Sequence, residues 1–143
     1  MAVILLPDQI PQMWEAIKYA AVNADQVEEG HRDRYLNVLL YQLLSSKAQC
    51  FVRLDSARRL QALAVTSVVV DEMRDEKSLY VKFLYSFAKV DDEVWKQDIE
   101  VLKLYAIKNE CKSITAKTHN DKAFELVKML GMKERHKSLI MEV

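Results

Sequence analysis

The sequence predicts an α/β (α+β) fold, with a mixed, mostly antiparallel central sheet of about six strands and helices on both faces. Three observations predict it. First, Leu60 to Val70 places Ala62, Ala64, Val68 and Val70 on one face and Leu63, Val65 and Val69 on the other, so this strand is covered from both sides. Second, two early segments carry apolar residues at helical spacing. Third, Leu79 to Ala106 reads as an apolar strand, a short turn and a long amphipathic helix. Such a junction often holds a phosphate on the free N–H groups of the helix's first turn.

The elements follow in order. Ala2 to Leu6 is a short apolar strand expected to be buried, and Pro7 ends it. Asp8 is placed to cap a helix carrying Ile10, Met13, Trp14, Ile17 and Ala21, with Pro11 in its first turn, where a missing N–H costs little. The polar stretch Gln26 to Arg34 connects to a second helix with a stripe of Leu36, Leu39, Leu40, Leu43 and Leu44, which at this spacing reads as core. Cys50 to Leu54 alternates as a half-buried strand, with Arg53 facing away from Cys50, Val52 and Leu54. Leu60 to Val70 and Ser78 to Phe87 form a hairpin closed by the solvated turn Asp71 to Lys77.

In the long helix, Trp95, Ile99, Leu102 and Ala106 share a face. Ser113 to Thr118 alternates around Ile114 and Ala116 as another strand. Asn120 or Asp121 caps a helix with Ala123, Leu126, Val127 and Leu130, and Gly131 stops it. His136 to Val143 reads as a last strand. The order is βααβββαβαβ, on one continuous domain spanning residues 1–143.

Composition limits the functional classes. Lys plus Arg and Asp plus Glu number 21 each, which removes a global basic footprint for nucleic acid. No apolar run approaches the roughly 20 residues a membrane helix needs. The run Ala2 to Leu6 is too short for a signal h-region. Cys50 and Cys111 read as reduced thiols, and the expected location is cytoplasmic. His31, His119 and His136 lack metal-ligand spacing, so no metal site is expected. With only Gly30 and Gly131, the chain has no glycine-rich phosphate loop.

The element order, together with Asn120, Ala123, Leu126 and Gly131 at their offsets in NDKAFELVKMLGM, resembles the GNAT acetyltransferase superfamily over essentially the whole chain. The resemblance implies that acetyl-coenzyme A lies against the fourth strand between Leu84 and Phe87, with Tyr85, Lys89, Val90 and Asn120 as further contacts. It implies that the amine acceptor enters from the two early helices. Glu72 and His119 are the candidate general bases, with a structural or solvent-exposed role the expected one for His119. Tyr80 and Tyr85 either line a groove or join the packing of the sheet.

Two positions depart from the family's chemistry. Members usually carry a glycine-containing turn before the long helix; here it reads AKVDDEVW. Asp91, Asp92 and Glu93 are expected to accept the first-turn N–H bonds themselves. A diphosphate about 4 Å from one such carboxylate meets a repulsion of about 1 to 4 kcal/mol per charge pair. Members also commonly use a tyrosine as the acid where this chain has Val127.

The expectation is therefore a GNAT-fold protein that does not acetylate, binds no cofactor and serves as a structural or protein-binding module. The alternative is an acetyl-coenzyme A-dependent N-acetyltransferase with a divergent cofactor loop. The chain is also similar to small proteins of this fold encoded by short-tailed phages and prophages. That likeness implies other virion proteins or a second copy as partners, in the host cytoplasm or the virion.

Overall fold

The computed structural model describes residues 2–118, 121–135 and 137–143. A sheet runs through the middle in the order β1-β2-β3-β4-β5. Its strands are β1 (Val3–Ile4), β2 (Gln49–Leu54), β3 (Leu60–Asp71), β4 (Glu76–Ser86) and β5 (Ser113–Ala116). Neighbours from β1 to β4 are antiparallel, while β5 joins β4 in parallel. The helices are α1 (Ile10–Ala24), α2 (Arg32–Leu44), α3 (Asp92–Lys108) and α4 (Asp121–Met129).

Strand alternation sorts the core into two layers. Cys50, Val52, Leu63, Val65 and Phe83 point to one face, where they pack with Ile10, Ile17, Ala20 and Ala21 of α1 and Leu39 and Leu43 of α2. Phe51, Arg53, Ala62, Ala64 and Leu84 point to the other face, under Trp95, Asp98 and Leu102 of α3. The Phe51 and Tyr105 rings meet edge to face at 5.4 Å on that side. The leucine stripe of α2 is core as expected, with Leu44 alone turned outward at 46% exposure.

Several expectations need correction. β1 is an exposed edge: Val3 and Ile4 are 52% and 38% exposed because the two-residue strand is covered by sheet on one side only. Asp8 does not cap α1. It lies in a 3-10 turn, Pro7–Gln9, held by the Leu6 N–H donating to Gln9 Oε1 at 2.8 Å. β2 is buried on both faces rather than one. Arg53 is accommodated there because its guanidinium grips both oxygens of Asp98 on α3, at 2.6 and 2.7 Å. Asp98 Oδ1 also accepts the Ala2 N–H at 3.2 Å, so one carboxylate ties three elements of the fold together.

The last strand does not form. Residues 137–143 lie outside any strand, with Leu139, Ile140 and Met141 from 86% to 95% exposed. An apolar run becomes a strand only where a sheet edge receives its hydrogen bonds, and among the described residues no strand pairs with this run. His136 lies outside the described residues. At the end of α4, Gly131 takes φ +101 and the Met132 N–H reaches back to the Val127 carbonyl, giving the expected left-handed stop.

Candidate functional site

β4 organises the candidate site through an irregularity. Its pairing with β3 runs Val65 to Phe83 and then Thr66 to Val81, leaving Lys82 as an extra residue. This β-bulge reverses the side-chain alternation. Before it, Tyr80 shares the α1/α2 face with Ser67; after it, Phe83 and Tyr85 occupy that face. Lys82 also turns this way, donating from Nζ to Gln42 Oε1 of α2 at 2.9 Å.

The bulge coincides with the point where β4 loses a neighbour. β5 pairs with β4 only from Ser78 to Val81, and its last partner is Ala116. β4 continues to Ser86, and among the described residues its strand pairing there is with β3 alone. Its backbone N–H and C=O groups from Lys82 to Ser86 that face away from β3 therefore line an open edge. Helices α1 and α2 cover the face of the sheet that carries Phe83 and Tyr85, and the strand runs on into the turn leading to α3.

Aromatic rings furnish the far part of this edge. Tyr85 and Phe87 meet at 5.0 Å between centroids, and Tyr19 of α1 joins them at 5.8 and 6.1 Å. Tyr19 is 56% and Phe87 37% exposed, so the cluster presents ring surface to solvent. Burial, with a hydrogen bond to Tyr19 second, raises the pKa of the Tyr85 phenol. Nearer β5, Tyr35 of α2 donates its hydroxyl to Asp25 Oδ2 at 2.8 Å, at the end of α1.

Beyond Phe87, the chain reaches α3 through Ala88 to Asp91. The Ser86 hydroxyl donates to the Ala88 carbonyl at the start of this turn. Asp91 is the N-cap residue of α3, but its side chain makes no capping bond; its backbone carbonyl instead receives the Val94 and Trp95 N–H groups at 3.0 and 3.1 Å. Glu93 pairs outward with Lys96 at 3.2 Å. The expected self-capping by the acidic trio is thus absent. All three carboxylates are exposed at the mouth, and among the described residues no side chain caps the first-turn N–H groups of Asp92 and Glu93.

The residues singled out from the sequence separate clearly. Tyr85, Phe87, Lys89 and Val90 line the open edge of β4 and its exit turn. Leu84 belongs to that edge by its backbone, but its side chain lies beneath α3 with Trp95 and Leu102. Glu72 sits exposed in the turn between β3 and β4, ten residues of strand from Tyr85 and roughly 30 Å by strand rise, so the fold does not bring it to the edge. His119 and Asn120 lie outside the described residues. The sequence reading missed Asp25 and Tyr19, since no local pattern links them to β4.

No protein-family model and no curated protein sequence matches the chain. Solved structures do match over its length. A predicted acetyltransferase with acetyl-CoA from Clostridium acetobutylicum has a TM-score of 0.75 at 9% identity, covering 99% of this chain and 95% of that one. The ribosomal-protein-alanine N-acetyltransferase of Brucella melitensis biovar Abortus has a TM-score of 0.71 at 11% identity, covering 100% and 99%. The aminoglycoside antibiotic 6'-N-acetyltransferase of Acinetobacter baumannii has a TM-score of 0.74 at 10% identity, covering 100% and 97%. At these identities the likeness shows the fold: this chain has the architecture of GNAT acetyltransferases.

Proposed function

We propose that the chain is an acetyl-coenzyme A-dependent N-acetyltransferase with a divergent cofactor loop. The observation that carries this reading is the edge of β4 from Lys82 to Ser86, which no strand pairs among the described residues, beside a β5 that stops at Ala116. Its row of backbone donors and acceptors matches an extended, amide-bearing arm, which adds to such an edge as a strand would. The neighbouring structures are acetyltransferases, and one of them was solved with acetyl-CoA.

The residues fit the two ends of the cofactor unequally. The backbone of Lys82 to Ser86 would hold the arm, and Tyr85 with Phe87 would cover it from the α1 side. At the other end, the uncapped N–H groups of Asp92 and Glu93, with Lys89, would meet the phosphates among the carboxylates of Asp91 and Asp92. Acetyl-coenzyme A, when bound, supplies an acetyl group as a thioester, which an uncharged amine takes with release of the free thiol. The protein's own contribution is mainly positioning, holding the amine in line with the open edge. Val127 stands where family members commonly place a tyrosine acid, and it has no proton to give.

The acidic mouth favours a second reading, in which the chain keeps the fold but no longer acetylates and acts as a binding or assembly module, with virion proteins or a second copy as partners. Titration with acetyl-coenzyme A separates the two. Micromolar binding, followed by thiol release when amines are added, supports the enzyme. No heat at millimolar ligand supports the module.

A further inference from the structure

An open pocket of about 180 Å³ lies beside β1, at the edge of the sheet farthest from β4 and β5. Ile4, Leu6, Ile10, Leu43, Cys50 and Tyr105 are among its walls, and none of the residues lining it is charged. A cavity of about 150 Å³ admits a benzene ring, so this one has room for a leucine, isoleucine or methionine side chain. The Leu5 N–H donates to the Cys50 carbonyl at 2.8 Å, and the alternation of an antiparallel pair then turns the Ile4 N–H and carbonyl away from β2. They offer an arriving backbone two hydrogen bonds next to the pocket.

The same chain carries a segment of matching chemistry that it does not cover itself. Leu139, Ile140 and Met141 stand together in the tail at 95%, 91% and 86% exposure. The tail is joined to β5 through α4, while the pocket borders β1. These two strands are the outer ones of the sheet, roughly 19 Å apart by strand spacing. Helices cover both faces between them, so the pocket of a neighbouring molecule is open to the tail without a path across its own. The charges agree as well. Lys47 stands between the lining residues Ser46 and Ala48, its amine 5.0 Å over the Tyr41 ring, and among the described residues it forms no ion pair. Glu142 follows Met141 directly.

We propose that the pocket beside β1 receives the Leu139–Met141 run of a second copy of this chain, with Glu142 of that copy against Lys47. Each molecule thus offers one apolar segment and one pocket. A single contact by so short a run buries less than the roughly 1,200 Å² of a stable complex, so self-association is weak and depends on concentration. Neither surface includes the open edge of β4, which makes self-association and acetyl transfer separable.

The test is sedimentation of the full chain over a micromolar-to-millimolar concentration series. The native chain is expected to gain mass as concentration rises. Leu139→Asp with Met141→Asp in the tail, and Leu6→Glu at the pocket rim, each weaken association at least about tenfold, the worth of one buried apolar side chain. Leu6 is 58% exposed, and all three positions face solvent in the single chain, so urea midpoints stay unchanged. Lys47→Glu also weakens association, and adding Glu142→Lys restores it. A fluorescent peptide of residues 137–143 binds the tail variant, whose pocket is empty, and does not bind the Leu6→Glu chain. A native chain that stays monomeric across the series overturns the proposal. So does association that survives the tail substitutions, or peptide binding that is equal in the Leu6→Glu chain.

Discussion

Replacing Asp98 with alanine tests what fastens α3 to the sheet. The Arg53 and Asp98 side chains are 10% and 13% exposed and share two short bonds, and Asp98 also holds the Ala2 N–H. Asp98→Ala strands a guanidinium under α3 in contact with Ala62, Ala64 and Leu84 rather than with water. Removing one partner of a buried pair costs about 3 to 5 kcal/mol. The residual tenth of exposure lets some water reach the guanidinium, which places the expected loss near the lower end, about 3 kcal/mol. For a chain of this size, that is a melting temperature lower by roughly 10 °C. Urea unfolding should show a lower midpoint at unchanged slope. The double change Arg53→Met with Asp98→Leu removes both charges together and should fall within about 1 kcal/mol of the native protein. A loss below about 1 kcal/mol in Asp98→Ala, or a double variant less stable than the single one, would refute the reasoning.

The remaining predictions concern the mouth, the thiols and the end of α4. Asp91→Asn with Asp92→Asn removes two exposed charges from the entrance of α3, and acetyl-coenzyme A affinity should rise about tenfold at low salt and less at high salt; equal titrations would place the obstruction elsewhere. Burial pushes the Cys50 thiol from an ordinary 9.0 up to about 12. A folded-state pKa raised above the unfolded one contributes stability that is intact below pH 9 and lost between pH 9 and 12. The urea midpoint should therefore fall as pH rises through that window, and Cys50→Ala should flatten part of the fall. Cys50 should also resist thiol reagents in the native state at pH 8. Gly131→Ala forces a Cβ onto a residue at φ +101, with nothing within 4 Å for it to strike. The cost is purely conformational, about 1 kcal/mol, and faster amide exchange in the last turn of α4 is the measurement.

How much was legible depended on the range of the signal. The α1 and α2 stripes, the double-sided apolar pattern of β3 and the glycine stop at Gly131 are local, and they carry the architecture. Burial at the edges was less legible, because an apolar alternation states which face could be covered and not whether anything covers it. That is why Val3 and Leu139 came out exposed. Arg53 read as facing water because its partner stands 45 residues away. The candidate site followed the same division. Tyr85, Phe87, Lys89 and Val90 lie within six residues of sequence, and the structure places them along the end of β4 and its exit turn. Asp25 and Tyr35 stand ten residues apart at the end of α1 and in α2, and only the folded chain joins them.

Lys82 makes the two halves of β4 behave as different strands joined by a one-residue phase change. Deleting it would remove the bulge and leave Val81 followed by Phe83 in regular alternation, with Leu84 and Tyr85 on their present faces. Drawing it into the ladder as an ordinary paired residue would instead turn Tyr85 and Phe87 beneath α3 and bring Leu84 out on the side of α1. The face each ring takes at one end of the strand thus depends on a miscount at its middle, and a one-residue slip of register there would rewrite the edge while leaving the composition of the strand untouched.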